Sequence, residues 1–377
     1  MDAAIATYFA LGISYKEILQ FLAGHGYSIS MRTLKRKLAK LNLYRRKNYS
    51  DILEVAIFVL EHVTQPGFSH GYRWMHTKCQ LNGLSVPRDD IAAIMNILDP
   101  EGAIQRKKNS LKRRIYIARG PNFLWHLDSY DKLKRYGLCV NGCIDGFSRF
   151  VIWLKVTNSS SDPKVIAGHY INAIQQYSGC PLRMRGDMGT ENRHVEQMHN
   201  FLLDRANAFM YGKSTGNQRI EMLWMHMRRA CFNVWIEKMR NLVDEDLYDG
   251  DEIDKNVIQF VFMDILQADI DEAVEIWNRH RIRPSKNAVS PAGKPYVMFY
   301  TPELYGTHNF SYQAPQASVN ICMTECEFNA GGPSDDAFRE ICKIIMEEQS
   351  LEKAEDFDRG KLLYTQLRRL VRQELYH

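Results

Sequence analysis

The 377-residue sequence has no apolar run long enough to cross a membrane and no cysteine spacing typical of a zinc finger. A membrane-spanning helix needs roughly 18 consecutive apolar residues. The most apolar stretches are shorter than this, and residues 257–266 are interrupted by Gln259 and Asp264. The eight cysteines are scattered, which favours buried reduced thiols over disulfides or metal ligands. We therefore expect no membrane partner and no structural metal.

The sequence also has no low-complexity tract and no internal repeat, and residues 1–11 lack the basic segment of a signal peptide. With 45% hydrophobic and 25% charged residues, the composition is that of a globular protein, and the length allows two or three domains. We expect the protein in the nucleus if its source is a eukaryote and in the cytoplasm otherwise.

Positive charge is concentrated in the first third of the chain. Residues 1–120 contain 19 Lys and Arg against 9 Asp and Glu, a net charge of +10, whereas the remainder has a net charge of −5. A cationic segment suggests a polyanionic partner, most simply nucleic acid. A solvated charged surface would give the same count.

Residues 1–47 have the pattern of a helix-turn-helix unit. A capping box at residues 14–17 begins one short helix, which Gly24 and Gly26 end, and Ser30 can cap a second, basic helix. Helical bundles without DNA share this pattern, so DNA binding remains one of two interpretations. The side chains that avoid the apolar stripe of the second helix are the candidate DNA contacts: Arg32, Lys35, Arg36 and Lys40.

The rest of the chain divides into three segments. Residues 48–118 indicate a second helical DNA-binding unit and a basic linker, and residues 119–305 follow the order βββαβαβα. This order predicts an α/β domain with a mixed five-stranded sheet flanked by helices. Residues 306–377 form a C-terminal tail with no recognisable chemistry, and the acidic stretch at residues 244–254 favours a solvated insertion.

Three carboxylates occupy informative places in the α/β domain. Asp128 follows the first predicted strand, Asp187 lies in the loop after the fourth, and Glu221 lies in the first turns of a long helix. Such positions can converge on one point, and three like charges there would raise one another's pKa unless a divalent cation binds. Mg²⁺ or Mn²⁺ held by carboxylates suits phosphodiester hydrolysis or strand transfer.

Each of these residues also has a structural interpretation. Asp128 can cap a turn, Asp187 can form an Asx-turn, and Glu221 can be an early-helix residue favoured by the helix dipole. Nearby competitors for the same role are Asp131, Asp145 and Glu191, with Asp145 ending a strand. On the long helix, Arg228 shares the face of Glu221 and is a candidate phosphate contact or a surface ion-pair partner.

The motifs around these carboxylates resemble the core of DDE integrases, the family of retroviral and retrotransposon integrases and insertion-sequence transposases. The resemblance covers residues 121–305 and includes Trp125-His126-Leu127-Asp128, the loop from Asp187 to Asn192, the segment from Gly216 to Glu221, and the Arg-Pro and Ser-Pro elements near residues 277–291. It implies a ribonuclease H-like fold and a metal-holding trio of Asp128, Asp187 and Glu221. Met188 and Met222 depart from the residues common beside the second and third carboxylates, but neither change removes a ligand.

The resemblance implies a transposable-element enzyme that uses metal for DNA 3′-end processing and strand transfer and works as a homo-oligomer on DNA. One alternative is a domesticated DNA-binding protein that keeps the integrase fold without catalysis. Another is an RNA-degrading nuclease on the same fold, which the helix-turn-helix pattern disfavours because that motif reads duplex DNA in the major groove.

We predict that the basic N-terminal region binds duplex DNA with strong salt dependence, because phosphate contacts release condensed counterions. Replacing Lys35, Arg36 and Lys40 by glutamate should weaken binding, and loss of three phosphate contacts should reduce the slope of log K against log salt by about 3. Fluorescence anisotropy at several salt concentrations measures both effects. If residues 1–120 fold in isolation and show no DNA affinity at low salt, the region is a structural or protein-binding module.

Overall fold

The computed structural model describes residues 1–45, 47, 49–65, 70–100, 102, 118–212, 216–284, 291–328, 331–333 and 335–376. The predicted basic linker near residues 106–114 lies outside the described residues. The chain forms two compact units. Unit 1 comprises residues 1–121, 147–150 and 275–309, and unit 2 comprises residues 122–146, 151–274 and 310–377.

The described elements follow one another from an all-helical N-terminal region into an α/β region. The helices are α1 (Asp2–Ala10), α2 (Tyr15–Gly24), α3 (Met31–Lys40), α4 (Ile52–Val63), α5 (Tyr72–Leu81), α6 (Arg88–Leu98), α7 (Pro163–Tyr177), α8 (Arg193–Leu202), α9 (Gln218–Met227), α10 (Asn233–Asp244), α11 (Glu252–Arg279), α12 (Pro295–Tyr300), α13 (Gln316–Thr324), α14 (Asp336–Glu348) and α15 (Phe357–Tyr376). The strands are β1 (Trp125–Tyr130), β2 (Cys139–Asp145), β3 (Val151–Thr157), β4 (Met184–Gly186) and β5 (Phe209–Tyr211). None of the described helices combines the length and apolar character that crossing a membrane requires.

The five strands form one mixed sheet in the order β3-β2-β1-β4-β5. β1, β2 and β3 pair antiparallel, and β4 and β5 run parallel to β1. The predicted mixed five-stranded sheet flanked by helices and preceded by helical units is confirmed, and it is a ribonuclease H-like arrangement. One detail of the prediction is wrong: β1 extends to Tyr130, because its ladder with β2 continues that far, so Asp128 lies inside the strand.

In unit 1, α1 to α3 surround a small core, and the predicted helix caps are present. Ser14 and Glu17 form the capping box of α2, with the Ser14 N–H donating to Glu17 Oε2 at 2.8 Å. Ser30 caps α3 by accepting from the Thr33 N–H at 3.2 Å. Leu34 and Leu38 are buried on the apolar face of α3, whereas Leu41, which follows the last helical residue Lys40, is exposed.

The acidic stretch at residues 244–254 is solvated only in part: five of its seven carboxylates are exposed, but the prediction is wrong for Asp254. Asp254 is fully buried and accepts hydrogen bonds from Arg368 Nε at 2.7 Å and Arg372 Nη2 at 3.0 Å. The same arginines bond Asp249 and Asp251, each at 2.6 Å. Because both arginines lie on α15, residues of the predicted tail neutralise the carboxylates that would otherwise repel one another.

Further contacts hold α15 against the rest of unit 2. The Tyr364 hydroxyl donates to the Leu247 carbonyl at 2.8 Å, and Phe357 stacks on Phe262 with ring centroids 5.0 Å apart. A Cβ on Gly360 would lie 2.7 Å from the Phe262 ring, so glycine allows the close approach of α15 to α11. The C-terminal segment is therefore an integral part of unit 2.

We predict that Arg368→Ala lowers the free energy of unfolding by about 3 kcal/mol. Removing one member of a buried ion pair leaves a charge without compensation and costs about 3 to 5 kcal/mol, and Arg372 still pairs with Asp254 here. Burial opposes ionisation of Asp254, but the bonds from the two arginines outweigh it and lower its pKa. Arg369→Ala, an exposed neighbour on the same helix, should change stability by only about 0.5 kcal/mol. Equal destabilisation by the two variants in denaturant unfolding would contradict the role of Arg368.

Candidate active site

The sheet register brings the first two candidate carboxylates to neighbouring strands. β1 and β4 pair in parallel, with His126 opposite Arg185. Asp128 and Asp187 each lie two residues further along, and adjacent strands are about 4.8 Å apart. Continuing this register places the two carboxylates side by side, where β4 has just ended.

An asparagine fixes the start of α9 against β1. The Asn217 Nδ2 group donates to the Leu127 carbonyl at 2.8 Å, so its Oδ1 faces His126 Nδ1 at 2.6 Å. Burial lowers the pKa of His126 to about 3, so the ring is neutral and carries its proton on Nδ1. The Glu221 N–H then donates to the Asn217 carbonyl at 3.2 Å in the first turn of the helix. The third carboxylate is thereby positioned relative to β1.

One turn beyond Glu221, Trp224 contacts the first carboxylate directly. Its indole Nε1–H donates to Asp128 Oδ2 at 2.8 Å, and its ring lies 5.5 Å from that of Tyr130. Gly142 is the β2 partner of Asp128. A larger residue there would clash with Trp224, because its Cβ would lie 2.8 Å from the indole ring. A glycine in the middle of β2 therefore allows the indole to orient Asp128.

Asp187 lies in a loop that a second asparagine holds. Asn192 Nδ2 donates to Asp187 Oδ1 at 2.9 Å and to Glu191 Oε1 at 3.2 Å. A Cβ on Gly189 would lie 2.0 Å from the Glu191 carboxylate, so a larger residue there would displace the Glu191 side chain from this position. Met188 is 79% exposed between them.

The three carboxylates act on one another electrostatically. Burial raises the pKa of Asp128 to about 7, and the charges of Glu221 and Asp187 act in the same direction against the bond from Trp224. Burial and the charge of Asp187 also raise the pKa of Glu221. Among the described residues, no cation forms an ion pair with any of the three. Their charges are therefore close together and uncompensated.

No group of three carboxylate, imidazole or thiolate side chains within the described ranges is close enough to hold a metal ion as it stands. The donor set itself fits Mg²⁺ or Mn²⁺, since all three groups offer carboxylate oxygens. Glu221 is exposed, so its side chain can rotate without disturbing a packed core.

The structure also locates the other candidates from the sequence. Asp145 ends β2 as predicted and is fully buried, where it accepts from the Asn122 N–H at 2.8 Å and fixes the entry into β1. Asp131 is exposed, and its Oδ2 lies 3.7 Å from Lys134 Nζ. The candidate DNA contacts of α3 are all exposed: Arg32, Lys35, Arg36 and Lys40.

The predicted long helix is present, because residues 218–244 are helical throughout. Arg228 begins a π-helical turn, Arg228–Phe232, that joins α9 to α10 and that the sequence pattern does not predict. The wider turn allows Phe232 to stack on Tyr130, with ring centroids 4.5 Å apart. Arg228 itself is exposed, and its Nε donates to Asn233 Oδ1 at 3.1 Å.

The region that contains these residues matches a known protein family. The model of the integrase core domain family matches residues 115–298. The protein carries an integrase core domain. The chain also matches a chain in the cryo-EM structure of the simian T-cell lymphotropic virus intasome in complex with PP2A regulatory subunit B56 gamma. That match has 13% identity and a TM-score of 0.34, and it covers 62% of this chain and 76% of the other. A search of curated proteins gave no match.

Within the integrase core domain, sequence reasoning missed the residues that orient the carboxylates. Gly142 gave a usable signal, because an isolated glycine in a strand pattern marks a close approach of another group. Asn217 immediately precedes a predicted helix, a position that favours asparagine for capping. Here it does not cap with its side chain and binds β1 instead. No local pattern indicates that Trp224 contacts Asp128.

We predict that Asp128→Asn stabilises the metal-free protein, and that the gain depends on pH. The pKa of Asp128 is raised from 3.8 to about 7, so the wild type loses stability as pH rises from about 4 to about 7 and changes little above that. The amide does not titrate, so its advantage in unfolding free energy should grow over the same window to at most about 4 kcal/mol. Thermal unfolding in EDTA at several pH values measures it. A difference between variant and wild type that is the same at pH values of about 4 and 8 would contradict the raised pKa.

Proposed function

We propose that this protein is a metal-dependent DNA integrase or transposase of the DDE type. It would carry out DNA 3′-end processing and strand transfer with Asp128, Asp187 and Glu221 as catalytic and metal-binding residues. The observation that carries the proposal is geometric: Asp128 lies on β1, Asp187 follows the adjacent β4, and Trp224, one turn after Glu221, bonds Asp128, all within an integrase core domain.

The negative charge of these three carboxylates, which no cation among the described residues pairs with, favours binding of a metal ion. Like charges that raise one another's pKa are relieved by a divalent cation, which favours their ionised form. When bound, Mg²⁺ or Mn²⁺ supplies charge stabilisation to the attacking and leaving oxygens of an in-line displacement at phosphorus. The protein's contribution is to keep Asp128 on β1, Asp187 just beyond the end of the adjacent β4, and Glu221 on a helix whose start is bonded to β1.

The remaining side chains support roles around this site. Asn192 orients Asp187 and Trp224 orients Asp128, so both carboxylates are held before any ligand arrives. Arg228 is exposed on the helix that carries Glu221, and we propose that it contacts a DNA phosphate.

Further proposals concern the partners of the protein. The exposed basic side chains of α3 would bind duplex DNA through its phosphates. We also propose that the protein assembles as a homo-oligomer on DNA and acts where chromosomal DNA lies, in a nucleus or in a prokaryotic cytoplasm.

The decisive test is a strand-transfer assay on candidate element ends with Mg²⁺ or Mn²⁺. We predict that Glu221→Gln lowers strand transfer by at least about a hundredfold, because the amide removes an anionic ligand while keeping the volume. Asp128→Asn and Asp187→Asn should act alike. Isothermal titration with Mn²⁺ should show weaker metal binding for all three variants.

Asp131→Asn is the matched control. It makes the same carboxylate-to-amide change three residues from Asp128, at an exposed position, and should leave strand transfer within about twofold of wild type. Asp145→Asn is less suitable, since Asp145 is buried and bonded to the backbone. Strand transfer at the wild-type rate by Glu221→Gln would contradict the assignment of Glu221 as a catalytic metal ligand. Metal-independent DNA binding without strand transfer would favour a domesticated DNA-binding protein, and preferential cleavage of RNA would favour a nuclease.

A further inference from the structure

Unit 1 contains an open cavity of about 690 Å³ that the proposed catalytic residues do not touch. Its walls come from α1 and α2, the segment that follows α3, α5 with the loop that leads into α6, the end of α11 with the two residues after it, and Lys294. Pockets that enclose drug-sized ligands have volumes of about 300 to 1,000 Å³. A cavity of this size accommodates one or two nucleotides and is too small for a duplex.

Cationic side chains outnumber carboxylates in the cavity wall by six to two. Glu17, one of the two carboxylates, already accepts a hydrogen bond from the Ser14 N–H in the capping box of α2. The cations are Arg45, Arg73, Arg88, Arg279, Arg281 and Lys294. Arginine is well suited to phosphate, because its planar fork donates two parallel hydrogen bonds.

The charges in this wall repel one another. Burial lowers the pKa of Lys294 to about 8, Glu17 opposes this effect, and the charges of Arg45, Arg279 and Arg281 strengthen it. Within the described ranges, Arg88 and Arg281 are exposed and make no ion pair. A bound anion would relieve this repulsion.

Aromatic rings alternate with these cations. Tyr44 and Tyr49 line the cavity and are 37% and 48% exposed. Between them, the Arg45 guanidinium lies over the rings of Phe9 and Tyr15, at 4.6 Å and 5.2 Å from their centroids. A cationic groove with exposed aromatic rings is the arrangement that binds unpaired nucleic acid, whose phosphates need cations and whose bases stack.

We propose that this cavity binds a short unpaired stretch of nucleic acid, with its phosphates against the arginines and its bases stacked on Tyr44 and Tyr49. The site is separate from the basic face of α3, whose DNA-binding candidates do not line the cavity. The proposal does not depend on the catalytic carboxylates or on metal.

The test is binding by the full-length protein in EDTA, measured by the fluorescence anisotropy of a labelled oligo(dT) of about 10 nucleotides. We expect Arg281→Glu to weaken binding at least tenfold, roughly the effect of losing one hydrogen bond to a charged group. Arg283→Glu is the matched control, since Arg283 is equally exposed, two residues away, and outside the cavity wall. It should weaken binding by no more than about twofold.

The aromatic contribution has its own pair of variants. Tyr49→Ala should weaken binding of oligo(dT) about fivefold or more and leave binding of an abasic strand of the same length unchanged, because stacking needs bases. Tyr27→Ala, at a similarly exposed tyrosine outside the cavity, should change neither. Equal losses for Arg281→Glu and Arg283→Glu would show binding to diffuse surface charge and overturn the proposal. So would equal losses for both strands in Tyr49→Ala. Because EDTA removes metal, failure of strand transfer leaves this result unaffected.

Discussion

The contact between Asn217 and β1 determines the geometry of the integrase core site. Its side chain bonds the Leu127 carbonyl and His126 Nδ1 at once, so α9 can begin at only one height and rotation against the strand. Glu221 and Trp224 follow within two turns of that point. The amide side chain, together with the buried Ile220 and Leu223 of α9, therefore positions the third carboxylate and the indole that bonds the first.

This clamp works because its partners are buried and neutral. An ionised His126 would require both ring nitrogens to be donors, but burial lowers its pKa to about 3 and removes that option at physiological pH. The amide of Asn217 is oriented by the Leu127 carbonyl, which only its NH₂ group can satisfy. Neither group then adds charge near Asp128, Asp187 and Glu221.

The sequence predicted the order of strands and helices along the chain and the places of the three candidate carboxylates beside them, because alternation of apolar residues and carboxylates beside strands are local patterns. It was insufficient for Trp224, which lies 96 residues from Asp128, and for Arg368, which lies 114 residues from Asp254. An acidic run has the same composition whether it is solvated or neutralised by a distant helix. The π-helical turn at Arg228–Phe232 was missed for a related reason, since the stacking of Phe232 on Tyr130 accompanies it and depends on the tertiary fold.

Two groups of carboxylates in unit 2 have opposite kinds of partner, charged in one group and neutral in the other. Asp249, Asp251 and Asp254 are paired with Arg368 and Arg372, and this compensation lets Asp254 remain ionised at full burial.

Asp128 and Asp187 instead have neutral partners, an indole N–H and an amide, which orient the oxygens without cancelling their charge. Orientation without neutralisation costs stability in the free protein, as the pKa of Asp128 near 7 indicates. Under the proposed function, a bound divalent cation would recover that cost, whereas the arginine-paired carboxylates are already neutralised by side chains of the protein itself.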